Sequence, residues 1–110
     1  MGNVYCLVLA AVLMAVPGLV AATEAAEVDE ARADQLEHVL VQECGSCHGL
    51  EMRGGLGPAL TPDAIEGRHD DYLRTVILHG VPGTPMPGWD GMLSEAEAQW
   101  LVDLMREGLE

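Results

Sequence analysis

Five consecutive residues constrain this chain more than any others: Cys44-Gly45-Ser46-Cys47-His48. Two cysteines three apart, with a histidine directly after the second, form the pattern of covalent c-type haem attachment. On a helix, positions i, i+3 and i+4 share one face. Cys44, Cys47 and His48 can therefore meet one flat object together. The two thiols add to the haem vinyl groups, and His48 turns an imidazole nitrogen to the iron. Gly45 and Ser46 are small and keep the backbone close to the porphyrin edge. Half a zinc site would need a further Cys/His pair at ligand spacing, and no cysteine follows His48. A thioredoxin-like redox pair wants a preceding strand and a βαβ context, and the sequence predicts neither. The cofactor expected is one covalent haem c.

The chain has 110 residues, enough for one small domain. Val4 to Val20 is almost wholly apolar, and Val20-Ala21-Ala22 offers small residues for cleavage. Residues 1–22 are read as a secretory signal and 23–110 as the domain. The segment before the apolar run has no Lys or Arg, and an uncleaved anchor is the alternative, because the run is near spanning length. Cys6 lies inside it without the small-residue context of a lipoprotein site. Cleavage after Ala22 would leave 88 residues with no Phe. That is little for a self-sufficient apolar core. A buried porphyrin would supply the missing apolar mass, so the apoprotein is expected to be largely unfolded.

All 18 acids and all 5 basic residues, every one Arg, lie after Ala22, for a formal charge of −13. Nucleic acid and anionic membranes are poor partners for such a chain, and a protein with a basic patch is favoured. The alternative is that the acids simply keep a small protein soluble.

From Asp29 the pattern turns helical: Ala33, Leu36, Val39 and Leu40 share a face, and the helix runs into Cys44–His48. Leu50 to Leu60 is a loop with Gly54, Gly55, Gly57 and Pro58. Thr61-Pro62-Asp63 predicts a short helix, capped by Thr61, that ends near Gly67. Asp70 or Asp71 opens another helix carrying Tyr72, Leu73, Val76 and Ile77, which Gly80 ends. Val81 to Gly91 is too rich in Pro and Gly for regular structure. Ser94 and Glu97 form a capping box, followed by a last helix with Trp100, Leu101, Leu104 and Met105 on its apolar face. The fold class expected is all-α, with no strand and no repeat. Nothing resembles paired catalytic carboxylates, a nucleophile constellation or a phosphate loop, so no enzyme is expected.

A haem held by one histidine has a second axial side. Met52 is too close to His48 to reach it, Met105 reads as core filler, and Met92 abuts a helix start. Met86 stands in an irregular loop locked by Pro85 and Pro87, which can hold a thioether in one place. His79, at a helix end, is the competitor, and His69 a further candidate. His48 and Met86 are thus the expected metal ligands. A haem enzyme or gas sensor would instead need an open iron site.

These features together resemble a class I cytochrome c: a first helix entering Cys-x-x-Cys-His, a Gly-Pro loop, and a methionine on a late loop before the last helix. The resemblance implies a small monohaem fold whose N- and C-terminal helices cross, with Leu36 and Leu40 meeting Trp100, Leu101 and Leu104. It implies that Pro58, in Gly57-Pro58, presents its carbonyl to the free Nδ1–H of His48. It also implies a periplasmic location, where bacteria attach haem, and one-electron transfer. A tighter resemblance spans about Leu36 to Leu104. It rests on Gly54–Leu60, Thr75–Gly80, Gly83–Trp89 and Leu93–Glu97. The group concerned is the small periplasmic cytochromes c encoded beside cytochrome cd1 nitrite reductase in denitrifying bacteria. That implies electron delivery to the nitrite reductase or, alternatively, a part in haem d1 assembly.

Overall fold

In the computed structural model, Gly18 and residues 27–109 are described. The expected signal segment (Gly18 aside), Cys6, the cleavage point after Ala22 and residues 23–26 lie outside them. Among the described residues the elements are α1 (Glu30–Val39), a π-helical turn (Leu40–Cys44), α2 (Gly45–His48), α3 (Pro62–Ile65), α4 (Asp70–His79) and α5 (Glu95–Glu107). The all-α expectation holds, with no strand among the described residues. No helix there is long and apolar enough to cross a membrane.

Asp29 caps α1 by accepting the backbone N–H of Arg32 at 2.8 Å. The expected unbroken helix into Cys44–His48 is interrupted by the wide turn, where the Gly45 N–H donates to the Leu40 carbonyl five residues back. The interruption has a geometric effect. At about 100° per residue, His48 on a regular helix would sit about a third of a turn from the Leu36 face. The wider turn takes back part of that rotation, and Leu36, Leu40 and His48 are all buried.

Thr61 occupies the cap position of α3 with Pro62 in the first turn, but its hydroxyl makes no capping bond. The helix ends at Ile65, short of Gly67, and Arg68 N–H closes on the Ile65 carbonyl at 2.9 Å. Asp70, rather than Asp71, is the first residue of α4. The α5 capping box is present as read: Ser94 Oγ accepts from Glu97 N–H at 3.1 Å, and Glu97 Oε2 accepts from Ser94 N–H at 2.8 Å.

One core joins the helices. Leu36 and Leu40 belong to the same buried cluster as Ala98, Leu101 and Val102 of α5, with Trp100 and Leu104 packed against it. Ile65, Leu73 and Leu78 bring α3 and α4 into it. Two arginines tie α5 to the rest at the surface. Arg32 Nε donates to Glu97 Oε1 at 2.6 Å, linking α1 to the start of α5. Arg106 donates to Asp70 Oδ1 through Nε at 2.9 Å and Nη2 at 2.6 Å, and through Nη2 to the Arg68 carbonyl at 2.6 Å. Gln99 holds the other Asp70 oxygen at 3.0 Å.

Candidate functional site

A cavity of about 540 Å³ lies between the Cys-bearing helix, α4, α5 and the two Gly/Pro-rich loops. Its walls are mostly apolar. Leu40, Cys44, Cys47 and His48 form one side; Leu56 to Leu60 pass over it; Tyr72, Leu73, Val76 and Ile77 line it from α4. Leu101 and Met105 close it from α5, and Val81, Thr84, Pro85, Met86, Pro87 and Trp89 from the late loop. The apolar face foreseen for α4 therefore faces the cavity.

His48 is buried, and its Nδ1 lies 2.7 Å from the Pro58 carbonyl oxygen. A carbonyl only accepts, so Nδ1 carries the proton. The neutral ring's Nε2 is then an unprotonated donor for a metal. The ring is also held from the side. A Cβ on Gly57 would stand 2.7 Å from His48 Cε1 and 2.8 Å from Nδ1, so only glycine fits there. The loop is set in place by Gly57 N–H on the Cys47 carbonyl and Gly54 N–H on the His48 carbonyl, both 2.7 Å. Burial pushes the Cys44 thiol up to about 11, with the Glu43 charge adding to the effect. At neutral pH it is an uncharged thiol in an apolar wall.

Met86 sits in a loop closed by backbone bonds. Val81 N–H donates to the Met86 carbonyl at 3.2 Å, and Met86 N–H to Thr84 Oγ1 at 3.3 Å. Trp89 and Asp90 N–H groups then bond the Ile77 and Leu78 carbonyls of α4, each at 3.0 Å. Gly80 has φ +70°, and a Cβ there would meet the Met86 carbonyl oxygen at 2.6 Å. The chain therefore turns back at the end of α4 in contact with the methionine loop.

Cys44, Cys47, His48, Pro58 and Met86, singled out in the sequence, all line this cavity. So does Met105, read from the sequence as core filler. His69, His79, Met52 and Met92 do not line it; Met52 is buried elsewhere and Met92 is exposed. The charged residues of the lining, Glu43 and Arg68, went unnoticed in the sequence because each reads as a solvated helix or turn position. Glu51, an acid placed by sequence near the Cys motif, pairs with Arg53 at 3.2 Å outside the lining.

These residues fit a covalently held haem: two thiols, a metal-ready imidazole and two thioethers line one apolar space of cofactor size. When bound, haem supplies a one-electron couple at iron, and the chain supplies ligands, an apolar enclosure and a fixed imidazole.

Such a frame is that of the class I cytochromes c, and the chain belongs to the cytochrome c family. Residues 31–105 match the family described as Cytochrome C oxidase, cbb3-type, subunit III. It is an electron-carrying c-type cytochrome with a single covalent haem c. Within that family it is similar to cytochrome c55X of Pseudomonas aeruginosa, 56% identical over 80 residues that cover 73% of this chain and 67% of the relative. Cytochrome c55X of Stutzerimonas stutzeri is 51% identical over 92 residues, 84% of this chain and 78% of the relative. Among solved structures, a c-type cytochrome NirC matches with a TM-score of 0.71 at 54% identity, over 72% of this chain and 93% of that one. Part of dihydro-heme d1 dehydrogenase NirN, solved in complex with DHE, matches with a TM-score of 0.62 at 38% identity, over 66% of this chain and 16% of that one.

Proposed function

We propose that this protein is a periplasmic one-electron carrier. In this reading Cys44 and Cys47 hold the haem, His48 is its proximal ligand, Pro58 orients His48, and Met86 is the distal ligand. Residues 1–22 act as the export signal. The acceptor is cytochrome cd1 nitrite reductase, and the chain itself catalyses no reaction. The observation that carries the reading is the shared cavity of Cys44, Cys47, His48 and Met86, with His48 Nδ1 fixed on the Pro58 carbonyl. A loop bonded to α4 suits a weak thioether ligand. Ligands that stay in place through both oxidation states leave little to reorganise, and His/Met ligation favours a relatively high potential.

The partial likeness to a dihydro-heme d1 dehydrogenase supports a second reading, in which the protein serves haem d1 assembly on the nitrite reductase. One stopped-flow experiment separates them. Reduced wild type mixed with oxidised cytochrome cd1 nitrite reductase should pass its electron in a second-order step that slows as salt rises, because the Debye length shrinks to about 10 Å at 0.1 M. Met86→Ala should remain coloured, lose the near-infrared band of Met-ligated ferric haem, and transfer more slowly. Loss of that band in Met105→Leu instead would move the ligand to α5. Tight, saturable binding to an immature reductase without fast transfer would favour the assembly role.

A further inference from the structure

The loop that carries Met86 is closed at its stem by two glycines. A Cβ on Gly80 would stand 2.6 Å from the Met86 carbonyl oxygen and 2.9 Å from the Gly88 amide nitrogen, and a Cβ on Gly88 would stand 2.7 Å from the Leu78 carbonyl oxygen. The two sides of the stem therefore touch backbone to backbone. Between them, Val81 to Pro87 has few groups with which to hold its own shape. Pro82, Pro85 and Pro87 carry no N–H, and Thr84 is the one residue there whose side chain bears a hydroxyl, an amide or a charge.

That hydroxyl is used twice. Thr84 Oγ1 donates to the Val81 carbonyl at 2.7 Å and accepts from the Met86 N–H at 3.3 Å. A hydroxyl has one proton to give and lone pairs that accept, so both bonds stand together. The bridge ties the entry of the loop to the residue that carries the thioether. One backbone bond spans the same gap, from the Val81 N–H to the Met86 carbonyl at 3.2 Å. Thr84 and Met86 both line the cavity.

We infer that Thr84 is a positioning residue for the distal ligand: its hydroxyl bridge holds Met86 in place and so protects the iron from competing ligands. The inference rests on the reading of Met86 as that ligand. A thioether is a weak ligand, so the fraction of molecules with the loop open decides how readily another ligand enters. An external ligand that binds only the open form gains apparent affinity in proportion to that fraction. Thr84→Val keeps the shape and removes both bonds, which should raise the open fraction about tenfold. Thr84→Ser keeps the hydroxyl and should stay within about twofold of wild type. Thr75→Val is the control. Its hydroxyl makes a bond of the same kind, to the Asp71 carbonyl at 2.7 Å within α4, outside the cavity lining.

The test is a titration of the purified ferric holoproteins with imidazole, a neutral ligand for haem iron, followed by loss of the near-infrared band of Met-ligated haem. Imidazole should bind Thr84→Val about tenfold more tightly than wild type, and Thr84→Ser and Thr75→Val much as wild type. Equal affinity in Thr84→Val and wild type would overturn the inference, as would an equal gain in Thr75→Val or a serine variant that behaves like the valine one. Met86→Ala separates the two levels. A band that is lost in Met86→Ala leaves the ligand assignment standing whatever Thr84 does, whereas a band that survives there removes the assignment and the inference together.

Discussion

Gly57 lacks a side chain because the His48 ring lies where its Cβ would be. Gly57→Ala must push an imidazole that is already fixed on the Pro58 carbonyl. Overpacking of this kind costs about 1–3 kcal/mol, and each kcal/mol lowers Tm by roughly 4–8 °C in a domain of this size. Gly91→Ala is the control, since a Cβ there meets nothing within 4 Å. Thermal melts of the two holoproteins should differ accordingly; equal Tm values would mean that the ring is not held from that side. At this scale the sequence was legible where chemistry is local. Cys44, Cys47 and His48 declare themselves by spacing, and Met86, which lines the same cavity, stands out by its two flanking prolines. The Pro58 contact spans ten residues and came only through a resemblance. Arg68 and Glu43 were illegible because a charged residue beside a cavity has the same local pattern as one in water.

Among the elements, α5 is bonded to α1 by a residue with two duties. Glu97 closes the capping box with one oxygen and takes Arg32 with the other. The Arg32 hydrogen bond foremost, then the Ser94 backbone N–H, holds its carboxyl below the usual carboxylate range. The folded state thus binds this proton less readily than the unfolded chain, whose Glu titrates near about 4.3. The stabilisation is complete above that pH and is lost as pH falls through the lowered folded value. Glu97→Gln keeps a side-chain oxygen for the Ser94 N–H and should therefore cost up to about 1 kcal/mol at pH 7, the share of the ion pair. Urea midpoints of variant and wild type should converge toward pH 3; a gap that stayed constant with pH would place the loss in packing. Ser94 and Glu97, three residues apart, announced the cap in the sequence. Arg32 lies 65 residues from Glu97, and no local pattern links them. The π-helical turn was equally hidden, since the helical pattern of Ala33, Leu36, Val39 and Leu40 runs straight on into Cys44–His48 with no local mark of a widened turn.

The whole molecule is built around a space it does not fill with its own side chains. The apolar side chains around this space of about 540 Å³ have water to face until a haem covers them, and so short a chain has little other core to hold it together. The haem-free chain made by Cys44→Ala with Cys47→Ala should accordingly show weak helical circular dichroism and no cooperative melt, whereas the wild-type holoprotein melts in one step. A cooperative, wild-type-like melt of the double variant would show that the helices suffice alone. The methionine loop extends this dependence to motion. The Ile77 and Leu78 carbonyls, which the end of α4 would otherwise leave unpaired, are taken by the Trp89 and Asp90 amides. Ile77 also lines the cavity. Amide exchange at Trp89 and Asp90 should therefore rise and fall with that of the last turn of α4, as a single opening unit. How easily the sulfur side of the cavity opens is then governed by the anchoring of α4, through Asp70 and Arg106, and not by the stiffness of the proline loop alone.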